Sequence, residues 1–106
     1  MKTRFTSPLL ETTSRTIVSC EANQTVHIDA IWLTHHGTGT HHVTVWHVPN
    51  GQSESDNFAI VHEYQIARYE TIILESPVYL LPGDKLLAEA DTASKVSIVV
   101  YGDLFE

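Results

Sequence analysis

Short β-prone runs separated by turn residues are the feature that most limits how this chain of 106 residues can fold. From Arg15 onward the runs are rich in Val, Ile, Thr, Tyr and Trp, and Gly, Pro, Asn or Asp separates them, whereas no segment keeps a helical period over three turns. The sequence therefore predicts an all-β fold, an antiparallel β-sandwich of about eight strands that is jelly-roll-like. The predicted strands are Arg15–Cys20, Thr25–Leu33, Thr40–Val48, Ala59–Ile66, Glu70–Leu74, Val78–Leu81, Lys85–Ala90 and Lys95–Tyr101.

Alternation within these runs predicts which side chains face the core. In Thr25–Leu33, Trp32 shares the parity of the apolar Val26 and Ile28, which favours core packing for Trp32 over a ligand-binding role. Apolar residues of the opposite parity interrupt this pattern, so either both faces are partly covered or a β-bulge shifts the register. Trp46 shares its parity with polar neighbours and is expected to be more open to an interface.

The amino-terminal residues 1–14 lack a clean period of 2 or 3.6 and predict an extended arm, followed by the sandwich domain over residues 15–106. Such an arm can become ordered on a partner, where Phe5, Leu9 and Leu10 would be buried and Arg4 would meet an acidic groove. The alternative is a disordered chain end without a role. With Trp46, these four residues form the predicted partner-binding set, and deletion of the arm is expected to leave stability nearly unchanged.

Charge and cysteine content limit the partners and the compartment. With 13 acidic and 6 basic side chains the formal net charge is −7, which disfavours nucleic acid and anionic membranes as partners. The single cysteine, Cys20, excludes an intramolecular disulfide and a multi-cysteine zinc site. The first residues contain no apolar run typical of a signal peptide, so synthesis in the cytoplasm without processing is expected.

Seven histidines suggest a metal site, particularly His35, His36, His41 and His42 around one glycine turn. Adjacent strand residues point to opposite faces, so each pair is expected to lend only one member to a common site, and no metal or cofactor is predicted. Polar rim residues, or a rim whose charge changes near the usual histidine pKa, are the other interpretations.

Catalytic patterns are also missing from the sequence. It contains no Gly-x-Ser-x-Gly elbow, Cys20 is expected to be a buried structural cysteine, and carboxylates such as Asp29 with Glu63 or Glu89 with Asp91 are interpreted as solvated strand residues. No catalytic residue is predicted, and the chain is expected not to be an enzyme.

The order of the segments nevertheless resembles small virion structural proteins of tailed bacteriophages. The similarity spans about residues 16–102 and lies in Val43-Thr44-Val45-Trp46-His47-Val48-Pro49-Asn50-Gly51, in Tyr79-Leu80-Leu81-Pro82-Gly83-Asp84-Lys85-Leu86 and in Val96-Ser97-Ile98-Val99-Val100-Tyr101-Gly102. The usual proline or glycine before the second strand is replaced by Glu21-Ala22-Asn23-Gln24.

The resemblance implies a virion role, with capsid decoration as the first choice and a tail, neck or fibre component as the alternative. It implies virion proteins as partners, the major capsid protein first among them. A homo-oligomer, with a trimer as one form, is expected because the edges of an open sandwich need protection and virion proteins commonly lie on symmetry axes. From other classes, a carbohydrate-binding module would expose Trp46 and Tyr64 on one face, and a cupin-type enzyme would direct histidines and a carboxylate toward an internal metal.

Overall fold

Two antiparallel sheets make up the fold in the computed structural model, which describes residues 2–6, 9–75 and 77–106. A three-residue 3₁₀ turn, Asp56–Phe58, precedes the fifth strand. The strands are β1 (Lys2–Thr6), β2 (Arg15–Ser19), β3 (Thr25–His35), β4 (His41–Val48), β5 (Ala59–Ile66), β6 (Thr71–Leu74), β7 (Val78–Leu80), β8 (Lys85–Ala90) and β9 (Val96–Phe105).

The strand order is that of a jelly roll. Sheet A has the order β1-β9-β3-β6, with β7 also paired to β3, and sheet B has the order β2-β8-β4-β5. The short strands β6 and β7 lie along the same side of β3, one pairing with Ile31–Thr34 and the other with Val26–Ile28. They thus share one strand position. Apart from the connection between β4 and β5, which are neighbours in sheet B, the remaining connections carry the chain between the two sheets as in a jelly roll. The predicted sandwich is confirmed.

All eight predicted strands are present, and their ends move by four residues or fewer. The largest difference is at β9, which continues from Tyr101 to Phe105 because its partner β3 begins at Thr25 and offers hydrogen bonds over that length. The predicted turn at Leu81–Asp84 is also present, since the Asp84 amide donates to the Leu81 carbonyl at 2.9 Å and Gly83 has a φ of 88°.

The amino-terminal segment belongs to the sandwich, which corrects the prediction of an arm over residues 1–14. Strand β1 pairs with β9 from Lys2 opposite Asp103 to Thr6 opposite Val99. Leu10 is fully buried in the core, and its backbone donates to the Val96 carbonyl at 2.8 Å. The physical reason is the jelly-roll order, in which a strand must cover the outer edge of β9. These contacts argue against the expectation that deletion of the segment leaves stability nearly unchanged, which stays a prediction.

A β-bulge in β3 reverses the expected orientation of Trp32. The register of β3 against β9 shifts between Ile28 and Ala30, so Val26 and Ile28 face the core before the shift, and Ile31 and Leu33 do so after it. Trp32 consequently points outward and is 41% exposed. The alternative of a bulge is confirmed, whereas the expected core packing of Trp32 is wrong.

Asp84 joins three parts of the chain at one end of sheet B. Its carboxylate accepts hydrogen bonds from the Leu81 amide, the Asn50 amide and His47 Nε2, each at 3.0 Å. Burial by itself raises the pKa of the Asp84 carboxyl, but the hydrogen bonds from His47, Leu81 and Asn50 outweigh burial and hold the pKa below its usual value. Asp84 therefore fixes the turn after β7 to the end of β4.

Candidate binding face

The predicted partner-binding residues do not lie together. Arg4 is exposed on β1, Phe5 is half-buried against the core, and Leu9 is 36% exposed. Leu10 is inside the core, and Trp46 lies in the other sheet with only 6% of its surface exposed. Of the five, only Arg4 and Leu9 present an exposed side chain. Partner binding by them stays a prediction, and the buried positions of Leu10 and Trp46 correct the expectation that these two are accessible.

Trp46 is buried because the outer face of sheet B carries a second, smaller apolar cluster. The ring packs with Val48 and Leu87, and with Phe58 and Ala59, which come from the 3₁₀ turn and the start of β5. Its indole nitrogen is buried and has no hydrogen-bond partner among the described residues. The polar neighbours of Trp46 at the same parity predicted an exposed side chain. The alternation of a strand shows which face a residue lies on, but it does not show whether a loop covers that face.

Large side chains remain exposed on the outer side of sheet A. This surface, called the aromatic face below, is formed by side chains that each keep between 41% and 56% of their surface exposed: Trp32, Ile73, Tyr79, Tyr101 and Phe105. The strand register places them on one side, because Trp32 pairs with Ile73 and Tyr101 pairs with Ala30, and paired residues of neighbouring strands share a face. The aromatic face spans β9, β3 and the short strands β6 and β7.

The rings of the aromatic face meet edge to face. Trp32 and Tyr101 have ring centroids 6.2 Å apart at an interplanar angle of 72°. His27 lies between Tyr79 and Phe105, with centroids 4.7 Å from each ring. Tilted rings of this kind leave ridges and gaps into which side chains of another protein can insert. A flat platform for stacking a sugar ring would instead need rings lying parallel to the sheet surface.

Sequence reasoning located part of this face without identifying it. The alternation in the last predicted strand already placed Val99 away from the core, and continuing the same parity gives Tyr101, Asp103 and Phe105. Trp32 was missed because the bulge in β3 inverts the parity from Ala30 onward. The residues of the aromatic face on β9 could have been found from the sequence, but Trp32, which follows the bulge in β3, could not.

Two histidines of the β3–β4 turn, His41 and His42, contact Asp91, and the ring of His41 also lies 5.2 Å from that of His35. Nδ1 of His41 lies 3.0 Å from one carboxylate oxygen of Asp91, and Nδ1 of His42 lies 3.1 Å from the other. Burial raises the pKa of the Asp91 carboxyl, but hydrogen bonds from His42 and the nearby imidazoles outweigh it, so the pKa lies below its usual value. Both members of the His41–His42 pair reach this carboxylate although they are adjacent in a strand, because Asp91 follows β8 and lies beside the start of β4.

The other two histidines of the turn have separate roles. His35 is buried, accepts the Gly37 amide at its Nδ1 and leaves its Nε2 without a partner among the described residues, while His36 bonds the Ser97 hydroxyl at 2.9 Å. Within residues 2–6, 9–75 and 77–106, no group of three or more His, Cys, Asp or Glu side chains is arranged to hold a metal ion. The turn is thus held by hydrogen bonds within the protein.

An acidic cavity of about 160 Å³ lies on the outer side of sheet B. Glu89 and Asp91 both line it, together with Glu63, which has a φ of 49° where it bulges beside Thr44. Burial and the nearby Glu54 raise the pKa of the Glu89 carboxyl. Glu89 and Asp91 therefore share a concave site, whereas Asp29 and Glu63 lie in different sheets.

Cys20 has a structural environment, as the sequence predicted. Its thiol is buried and lies 3.1 Å from the Gln24 carbonyl oxygen and 3.6 Å from that of Leu80. Burial, followed by the charges of Asp84 and Glu21, raises the pKa of the Cys20 thiol. A thiol in an apolar and acidic environment is poorly activated as a nucleophile.

Comparison of the chain with protein families, with curated proteins and with solved structures found no match. Among the described residues there is no helix with the length and apolar character needed to cross a membrane.

Proposed function

We propose that this chain is a structural protein of a tailed-phage particle, a capsid decoration protein that is made in the host cytoplasm and carried on the virion. The observation that carries the proposal is the aromatic face, an exposed apolar surface on a domain whose own core is already complete. Jelly rolls serve capsids, lectins and cupins alike, so the fold by itself does not select this function.

The size of the aromatic face supports an assembly role. An aromatic side chain presents about 150–250 Å², so five large side chains at 41–56% exposure amount to roughly 500 Å² of mostly apolar surface, with His27 and Asp103 lying among them. Patches of this size are at the upper end of what monomeric soluble proteins expose, and they mark surfaces that another protein covers. Other virion proteins, among them the major capsid protein, and further copies of this chain are the proposed partners.

Charge supports a protein partner over nucleic acid. Because the net charge is −7, the chain is repelled by phosphate backbones and anionic lipid surfaces. The motifs behind the resemblance to phage virion proteins occupy structural positions, since Val43 and Val45 face the core and Asp84 holds its turn. They support the proposal by accounting for the sandwich, while the partner-binding surface lies elsewhere.

The experiment is to locate the chain on purified phage particles. Particles from cells carrying this gene are banded on a density gradient, the ratio of this chain to the major capsid protein is measured by mass spectrometry, and the chain is labelled with antibody and gold for electron microscopy. The proposal expects a fixed ratio in banded particles and gold on the heads. Gold confined to tails would move the function to the tail or neck alternative, and the absence of the chain from banded particles would refute a virion role.

Two other functions receive less support from the geometry. A carbohydrate-binding face built on Trp46 and Tyr64 is not formed, because Trp46 is buried in the cluster with Leu87. A cupin-type enzyme needs several inward histidines and a carboxylate around a metal, and the described residues provide no such group. Virion assembly is the function to which the exposed surface is best suited.

A further inference from the structure

We propose that a second copy of this chain covers the aromatic face, forming a two-fold symmetric pair in which the outer sides of the two A sheets meet. The pair depends on the proposed function only in treating this face as a protein interface. The partner at this face is a second copy of the chain, and the pair can be measured in solution without any phage particle.

The area fits such a pair. The apolar centre of roughly 500 Å² needs only a rim of polar residues to reach about 800 Å² per partner, which is the standard size of a stable protein interface. Aromatic residues at the centre and an arginine at the rim are the composition that interfaces favour. Here the centre is Trp32 and Tyr101, each 41% exposed, and Arg4 lies at the rim beside Tyr101.

The charges at the two edges of the face are complementary. Arg4 on β1 pairs with Tyr101, which pairs with Ala30 on β3, so these three residues form one row across the sheet. At the opposite edge the exposed Glu75 follows Leu74, the partner of Ile31, and therefore lies at the β6 end of the same row. A positive charge thus begins the row, a negative charge ends it, and the aromatic centre lies between them.

A two-fold axis parallel to the strands makes use of this order. Such an axis keeps the position along the strands and reverses the position across them, so Arg4 of each copy faces Glu75 of the other. The four strand positions from β1 to β6 span about 14 Å at roughly 4.8 Å per strand, and this span is the same in both copies. The ion pair therefore forms twice, once at each side of the aromatic centre.

The ring geometry favours a protein over a sugar as the occupant. Because the rings of Trp32 and Tyr101 are inclined to each other by 72°, they cannot both lie flat on the sheet and do not form a continuous platform for a sugar, whereas side chains of a second copy can pack around them. Ile73 adds an aliphatic contact, which also suits a protein partner.

Sedimentation equilibrium of the purified full chain from 1 to 200 µM tests the pair. Wild type should form a dimer, and a variant with both Trp32→Ser and Tyr101→Ser should associate at least tenfold more weakly. Tyr69→Ser is the matched control, because Tyr69 is 69% exposed but lies outside the aromatic face and should leave association unchanged. Thermal unfolding of each variant confirms that it is folded, which is expected since the substituted rings lie on the surface.

Charge reversal tests the direction of the axis. Arg4→Glu and Glu75→Arg should each weaken the dimer at least threefold, and the double reversal should restore the wild-type constant to within about twofold. A monomeric wild type at 200 µM, a trimer, or an equal loss on Tyr69→Ser would overturn the pair. Failure of the double reversal to restore association would overturn the proposed axis. Gold labelling of phage heads remains a separate result, so a failed pair and a failed virion function are distinguishable.

Discussion

Replacing Leu10 with alanine should destabilise the fold far more than the same change at its neighbour Leu9. Leu10 has no exposed surface and lies in the main core, whereas Leu9 is 36% exposed. Truncating a fully buried leucine removes its apolar contacts and leaves a cavity, at a cost of about 2–5 kcal/mol. Because Leu9 is already partly in water, its truncation should cost about 1 kcal/mol.

The measurement is urea unfolding at 25 °C, followed by tryptophan fluorescence, for wild type, Leu10→Ala and Leu9→Ala. A loss of about 3 kcal/mol from Leu10→Ala would lower the unfolding midpoint by roughly 1–3 M urea if m is unchanged at 1–3 kcal/mol per M. In thermal unfolding the same loss corresponds to a fall in Tm of about 12–24 °C for a domain of this size.

The pair of variants tests whether the amino-terminal segment is part of the sandwich. Equal effects of the two substitutions, within about 0.5 kcal/mol, would refute the packing of Leu10 and restore the interpretation of residues 1–14 as an arm. The same result would also argue against the pairing of β1 with β9, which places Arg4 at the edge of the aromatic face.

Two further substitutions test the turn at Asp84 and the close approach of β9 to β3. Asp84→Asn should cost about 1–3 kcal/mol at pH 7, because the carboxylate accepts three hydrogen bonds. The folded pKa of Asp84 lies below the unfolded value of about 3.9, so this stabilisation is present above that value and is lost as the pH falls through the folded pKa. In urea unfolding, the difference in unfolding free energy between wild type and Asp84→Asn should therefore be smaller at pH 3 than at pH 7. An equal difference at the two pH values would contradict this role of the carboxylate. Gly102→Ala should cost about 1–3 kcal/mol, because the added Cβ would overlap the His27 carbonyl oxygen of the adjacent strand. A thermal-unfolding midpoint equal to that of wild type would show that β9 and β3 are not so close.

Most of the fold could be predicted because it depends on local chemistry. Runs of β-branched and aromatic residues predicted eight strands, and Pro82 with Gly83 predicted the turn that the structure contains. Strand β1 was missed because its five residues, Lys2–Thr6, include only one large apolar side chain, Phe5. Its place in the sheet is set by the exposed edge of β9, which lies almost a hundred residues away in the sequence.

The candidate site was predicted less well, for a different physical reason. Which face a strand residue occupies depends on a count of residues, and one bulge reverses every later position. The bulge in β3 therefore places Trp32 on the outer face. Trp46 is buried because Phe58 and Ala59 pack over it, and the alternation within β4 does not predict this contact. Tyr101 needed no such correction, since β9 alternates without interruption from Val96 to Gly102.

The pairing of β1 with β9 also determines how the domain responds to mechanical load. Lys2 lies opposite Asp103, so the amino end of β1 and the carboxyl end of β9 are at the same end of two antiparallel strands. A force that pulls these ends apart acts across the hydrogen bonds of the ladder and opens them one after another, as a zipper opens, instead of loading them all together in shear. Tension applied along the chain would therefore detach β1 first, exposing the edge of β9 while most of the sandwich is still folded.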